Sequence, residues 1–250
     1  MTSDQPKITI GLVGKYIDLK DACLSIEEAL IHAGFALGVH LDVRYIDAEK
    51  VNQHTVNDYL NAMHGVLIPG GFGERATEGK IQAIRFAREK QIPFLGICFG
   101  MQLAVVEYAR HVLGLEGAHS TELDPKTPHP IIDLQRGRDQ HENLGGTLRL
   151  GSSRIHVEQN TLLASLYKTS QIQERHRHRF EVNPHYHEAF KKDGQFVFSG
   201  WDESRSLVEV IELKKHPFFI AAQYHPEFLS RPLKARPLFL GFVDAAKNRL

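Results

Sequence analysis

The chain has 250 residues, 42% of them hydrophobic, with 30 Lys plus Arg balanced by 30 Asp plus Glu. That length and composition allow a large buried core, and the even charge excludes the basic excess of a nucleic-acid or membrane-surface binder. Two cysteines build no disulfide framework. The polar start MTSDQPK and the lack of any apolar run near the ~18 residues of a membrane span point to a cytoplasmic protein without signal peptide or anchor.

In chain order, KITIGLVG reads as a buried strand. ACLSIEEALIHAGFAL follows with helical spacing, Leu24, Ile26, Ala29, Leu30 and Ala33 sharing one side. LDVRYID alternates as a strand, and HGVLIPGG is an apolar run that stops at glycines. TEGKIQAIRFAREK is helical, IPFLGI is a strand, and MQLAVVEYARHV is a helix with Met101, Val105, Tyr108 and Val112 on one stripe. Strand and helix therefore alternate through the first half, the pattern of a parallel sheet covered on both faces. A loop is expected over Glu122–Gly146, which carries three prolines, many charges and a Gly-Gly end. The second half is richer in strands: GTLRL, QERHRHRFEV, QFVFSG, LVEVIEL and FFIAAQY, then a closing helix PLFLGFVDAAKNRL. The expected fold is α/β with three layers: a mostly parallel central sheet, helices on both faces and a β-rich second half, all in one domain over residues 1–250.

Chemistry gathers at the strand ends, where a doubly wound sheet carries its site. Gly71, Cys98 and His225 all fall there. Gly96-Ile97-Cys98-Phe99-Gly100 has the form G-x-C-x-G. A buried cysteine at the end of a core strand is the plainer reading. The two glycines, the preceding strand and the following helix favour a nucleophile elbow. In such a turn the residues on either side would collide if they carried side chains. The thiol stands at a helix N-terminus, whose dipole favours thiolate, and the Phe99 N–H points near the sulfur as an oxyanion donor would. A thiol nucleophile needs a base, and the base an orienting group. His225 and Glu227, separated by Pro226, follow a buried strand and point to the same side in an extended segment. Taken alone they fit a solvent-exposed turn; joined to the elbow they complete a Cys–His–Glu triad. Gly70, Gly71 and Gly73 leave backbone N–H groups open to a substrate oxygen.

Other patterns carry less. Gly71 to Ala76 fits G-x-G-x-x-A, but it follows a later strand than a dinucleotide fingerprint requires and lacks its acidic partner. Gly73 to Lys80 misses the spacing of a phosphate loop. His176 and His178 share a strand face, but three interleaved arginines repel a dication, so no metal site is expected. Cys23, at a helix start, reads as a packed residue.

The runs PGGFGERATEGK, GICFGMQLAVVEYARHV, STELDP, LGGTLRLG, ERHRHRFEVN and QYHPEFLSRP resemble the glutaminase domains of the CTP synthases, which are class I, triad-type glutamine amidotransferases. The resemblance runs from about Ile8 to Phe242 and implies a flavodoxin-like amidotransferase fold. It implies Cys98 as nucleophile, His225 as base, Glu227 as its orienter, and Gly71 and Phe99 as oxyanion donors. Gly71, Phe99, Gly100, Met101, Gln102, Glu122 and Arg179 would line the L-glutamine site. Glu122 suits the α-ammonium, and Arg179 suits the α-carboxylate with its planar fork. No cofactor is implied for this domain. ATP, UTP and Mg belong to an amidoligase domain that is absent from the chain and would act in cis or in trans, and GTP is implied as an allosteric effector. Full-length members oligomerise. A stand-alone glutaminase, a non-catalytic regulatory relative and a γ-glutamyl peptidase are the alternatives. Three positions depart from the family: Ala76 stands where glycine is usual, in a loop linked to the GTP response; Phe99 stands for Leu; and Cys23 stands for an aromatic.

Overall fold

The computed structural model describes residues 6–15, 23–134 and 149–250. β1 (Lys7–Gly14) is buried along seven of its eight residues, as a strand covered on both faces must be. It runs parallel to β2 (His40–Asp47) on one side and to β3 (Gly65–Ile68) on the other. β4 (Phe94–Ile97) continues the parallel run, followed by β12 (Phe219–Ala222). Beyond β12 the sheet turns antiparallel through β11 (Val208–Leu213), β10 (Phe196–Asp202), β7 (Arg149–Val157) and β8 (Gln171–His178). The order is β2-β1-β3-β4-β12-β11-β10-β7-β8, so the β-rich half of the sequence extends the same sheet.

Two apolar layers sandwich the parallel half. Ile26, Ala29, Leu30 and Ala33 of α1 (Leu24–Leu37) and Phe239, Phe242 and Val243 of α7 (Pro237–Lys247) cover one face, over Leu67, Leu95 and Ile220. Ile81 and Ile84 of α3 (Thr77–Glu89) and Leu103 and Val106 of α4 (Phe99–His111) cover the other, over Val66, Ile68, Phe94 and Ala221. Successive residues of β3 and β12 thus alternate between two cores. α1 ends where Gly38 takes φ 66° and its N–H returns to Gly34 and Phe35 carbonyls, a left-handed cap that suits glycine.

Several expectations need correction. Leu24 and Val112 are 53% and 39% exposed: each sits at a helix end, beyond the reach of the sheet. The expected loop after Glu122 holds β6 (Pro130–Leu134), which joins β5 (His119–Ser120) and β9 (Phe180–Val182) in a small second sheet. Residues 135–146 of that loop, and the start of GTLRL, lie outside the described residues; β7 runs on to Val157. QERHRHRFEV is two strands. β8 stays in the large sheet and β9 crosses to the small one, with Arg179 at the corner between them. Short helices α2 (Val56–Leu60), α5 (Leu162–Tyr167) and α6 (His187–Asp193) were not anticipated.

Candidate active site

The carboxyl ends of β1, β3, β4 and β12 open into one cavity of about 630 Å³. Cys98 stands at its floor, between the last residue of β4 and the first of α4. Its φ of 52° and ψ of −103° put a non-glycine residue in strained backbone. What holds the strain is visible on both sides. The Cys98 N–H donates to the Ala222 carbonyl at 2.7 Å, and its own carbonyl accepts from the N–H groups of Met101 and Gln102. Both glycines are sterically required. A Cβ on Gly96 would sit 2.8 Å from that of Ala221 and 3.0 Å from the Gly100 carbonyl carbon; one on Gly100 would sit 2.3 Å from the Ile68 carbonyl oxygen.

His225 reaches the same floor from the end of β12. Its N–H donates to the Arg175 carbonyl of β8 at 2.8 Å, which fixes the backbone there. Its Nδ1 lies 2.7 Å from Glu227 Oε1, and the Phe228 ring stacks on the imidazole at 5.2 Å between centroids. Gly70 lies against both residues: a Cβ there would lie 2.8 Å from His225 Cε1 and 3.7 Å from Cys98 Cβ. Burial opposes charge on the imidazole, but hydrogen bonds and charge interactions with Cys98 and Glu227 outweigh it and push its pKa up to about 10. A protonated ring beside a thiol is the setting in which sulfur carries negative charge.

The other residues marked in the sequence divide into two groups. Gly71, Gln102, Glu122 and Arg179 line the cavity with Cys98 and His225. Gln102 is buried and spends its amide nitrogen on the Phe180 carbonyl at 2.9 Å. Glu122 stands exposed at the rim. Protein on its inner side pushes its carboxyl up, and Arg179, Lys15 and the Gly73 N–H pull it back without cancelling that. Phe99, Gly100 and Met101 contribute from behind. Phe99 and Gly100 form the first turn of α4 directly after Cys98 and are not among the residues that line the cavity. The Met101 side chain is wholly buried in the core and does not face the cavity.

Sequence reasoning missed three neighbours. Lys80 of α3 is 2% exposed, lies 5.0 Å above the Phe99 ring and lines the cavity. Burial and nearby Lys15 lower its pKa to about 8. It ends the Gly73 to Lys80 stretch, which was set aside as a phosphate loop and given no role at the site. Gln223, two residues before His225, donates from Nε2 to Cys98 Sγ at 3.6 Å; it opens the QYHPEFLSRP run but was given no role there. Cys23, expected to be simply packed, lines the cavity too, and burial raises its thiol pKa. His176 and His178 meet carboxylates, Glu209 at 2.8 Å and Glu181 at 2.7 Å. Ala76, where the resemblance led one to expect glycine, has φ 65°.

The family model described as glutamine amidotransferase class-I matches residues 18–245. A CTP synthase of Staphylococcus epidermidis is 56% identical over 242 residues, 97% of this chain and 45% of that protein. A CTP synthase of Phytoplasma australiense is 56% identical over 240 residues, 96% of this chain and 43% of that protein. The chain therefore spans less than half the length of these curated relatives. Among solved structures, the Trypanosoma brucei CTPS glutaminase domain with bound acivicin superposes with a TM-score of 0.90 at 34% identity, covering 96% of this chain and 94% of that one. Among the described residues no helix is long and apolar enough to cross a membrane.

Proposed function

We infer the mechanism from one premise: the chain belongs to the class-I glutamine amidotransferases, as a glutaminase domain of the CTP synthase type. The reading is that it hydrolyses L-glutamine to glutamate and ammonia through a thioester on Cys98. One observation carries it. An imidazole hydrogen-bonded through Nδ1 to Glu227 stands with Cys98 in the same cavity as Gln102, Glu122 and Arg179.

In the first half-reaction the sulfur, its proton already held on His225 Nε2, attacks the side-chain amide carbon of glutamine. The carbonyl π electrons move onto oxygen, which takes hydrogen bonds from the N–H groups of Phe99 and Gly71. The intermediate collapses, the C–N bond breaks, and His225 gives its proton to the leaving nitrogen, which departs as ammonia. In the second half a water gives a proton to His225 and adds to the thioester carbon. The C–S bond breaks, glutamate leaves and sheds its new carboxyl proton to water, and His225 keeps its own proton beside the freed sulfur. Glu227 keeps the ring in one tautomer and supports its charge. Glu122 receives the α-ammonium of glutamine and Arg179 its α-carboxylate, both as charge-assisted pairs.

The ammonia would serve a ligase partner that aminates UTP to CTP, in cis or in trans, in cytoplasmic pyrimidine nucleotide synthesis. ATP, UTP and Mg2+ belong to that partner. GTP would act as its effector through the loop containing Ala76, and oligomerisation would come with the whole enzyme. The test is ammonia release from glutamine by the chain and by its Cys98→Ala variant. Release confined to the unaltered chain supports the reading, and equal release from both would sink it.

A further inference from the structure

The thiol has a polar neighbour that the mechanism above leaves idle. Gln223 is wholly buried, and its Nε2 lies 3.6 Å from Cys98 Sγ, an ordinary separation for a donor against an atom as large as sulfur. Its Oε1 accepts from Gln102 Nε2 at 3.3 Å, and Gln102 Nε2 also donates to the Phe180 carbonyl at 2.9 Å.

The polarity of this series is dictated from one end. A backbone carbonyl can only accept, so Gln102 must present its amino group to Phe180. The second N–H of that group then faces Gln223, which must answer with oxygen. Only the amino end of Gln223 is left for the sulfur. A neutral thiol accepts hydrogen bonds weakly, so a buried donor aimed at it is poorly matched; a thiolate satisfies the donor in full. The Arg177 carbonyl, an acceptor for an S–H, is 3.9 Å away and holds the proton poorly. A leucine or methionine would fill the same volume without burying an amide.

We propose that Gln223 is a further catalytic residue of this site: it donates a hydrogen bond to the Cys98 thiolate, before attack and again as sulfur leaves the acyl group, and through Gln102 it ties glutamine binding to the charge on the nucleophile. The proposal rests on the reading of Cys98 as nucleophile. The charged and titratable groups that line the cavity with the thiol are His225 after β12, Lys80 on α3, Lys15 after β1, Cys23 before α1, Tyr45 on β2, Glu122 at the rim, and Arg177, His178 and Arg179 on and beyond β8. None of them is altered in the variants below.

The experiment is alkylation of Cys98 by iodoacetamide against pH, without glutamine, read by peptide mass so that Cys23 is scored apart. Gln223→Glu keeps the volume and the acceptor for Gln102 but turns an oxygen toward the sulfur. Its alkylation midpoint should rise by about one pH unit or more, with kcat for glutamine down about tenfold and KM changed less than about threefold. Gln223→Met, should the first variant fold poorly, should raise the midpoint as well. Gln102→Met should raise it by a smaller amount, because Gln223 loses the partner that fixes its orientation. A residue that merely packs, or that only holds Gln102 for substrate, would leave the midpoint in place. Unmoved midpoints in the folded Gln223 variants overturn the proposal. Because no glutamine is present, a midpoint that moves in a chain without glutaminase activity would reject the proposed function and leave this inference standing.

Discussion

His225 Nδ1 and Glu227 Oε1 lie 2.7 Å apart with a single proline between them. Pro226 opens a short 3-10 turn, which folds the carboxylate back under the imidazole. The pair is mostly buried, with side chains 12% and 5% exposed, so water competes little for the bond.

Removing the charge of Glu227 should therefore act on the base and spare substrate binding. Glu227→Gln is expected to lower kcat by about a hundredfold with KM nearly unchanged. Steady-state glutamine hydrolysis decides this. A KM effect with intact kcat would contradict the assigned role.

The same ring links stability to pH. Its pKa is raised from the ordinary 6.5 to about 10, so above 6.5 the folded chain binds more protons than the unfolded one. The stabilisation is fully present below about 6.5 and is lost as pH rises through about 10. Thermal melts of the chain and of His225→Gln should differ most near pH 6.5, and the gap should narrow toward pH 10. A constant gap would show that the imidazole is not held charged.

Gly100→Ala should break the elbow. Its Cβ would fall 2.3 Å from the Ile68 carbonyl oxygen, a backbone atom of a central strand that has nowhere to go. The expected loss is about 3 kcal/mol or more, or roughly 6–12 °C in Tm for a chain of this size. Gly14→Ala, where the nearest atoms are 3.9 Å away, is the control and should change little.

Ala76 points the other way. Its φ of 65° places an alanine in the left-handed region that glycine occupies without penalty. Ala76→Gly should raise stability by about 1 kcal/mol, less the chain entropy that glycine adds to the unfolded state. A melt that falls instead would mean that the methyl has packing value here.

The parallel half of the sheet was legible because strands covered on both faces read as unbroken apolar runs, as in VLI of β3 and FLGI of β4. The helices over them show in their periodicity. What escaped was set by tertiary contact. β6 pairs with β9 far along the chain, so its Pro130 and Asp133, in a stretch rich in prolines and charges, read as loop. The break at Arg179 is invisible in an alternating run, since both flanking segments alternate; the strand changes sheets there. α2, α5 and α6 span five to seven residues, too few turns to show a period. In the cavity, Cys98, His225, Gly71, Gln102, Glu122 and Arg179 were marked by motif or by family resemblance, and the fold brings them together. Lys80 and Gln223 fell within quoted runs but were given no role, because a buried polar residue shows its purpose only when its partner is in view.

The most direct test of the whole account is covalent labelling by acivicin, the compound bound in the similar trypanosomal structure. Peptide mass analysis should find one adduct, on Cys98, suppressed by excess L-glutamine and slowed at least tenfold in His225→Ala. An adduct on Cys23 instead, or labelling of Cys98 indifferent to both glutamine and His225, would contradict it.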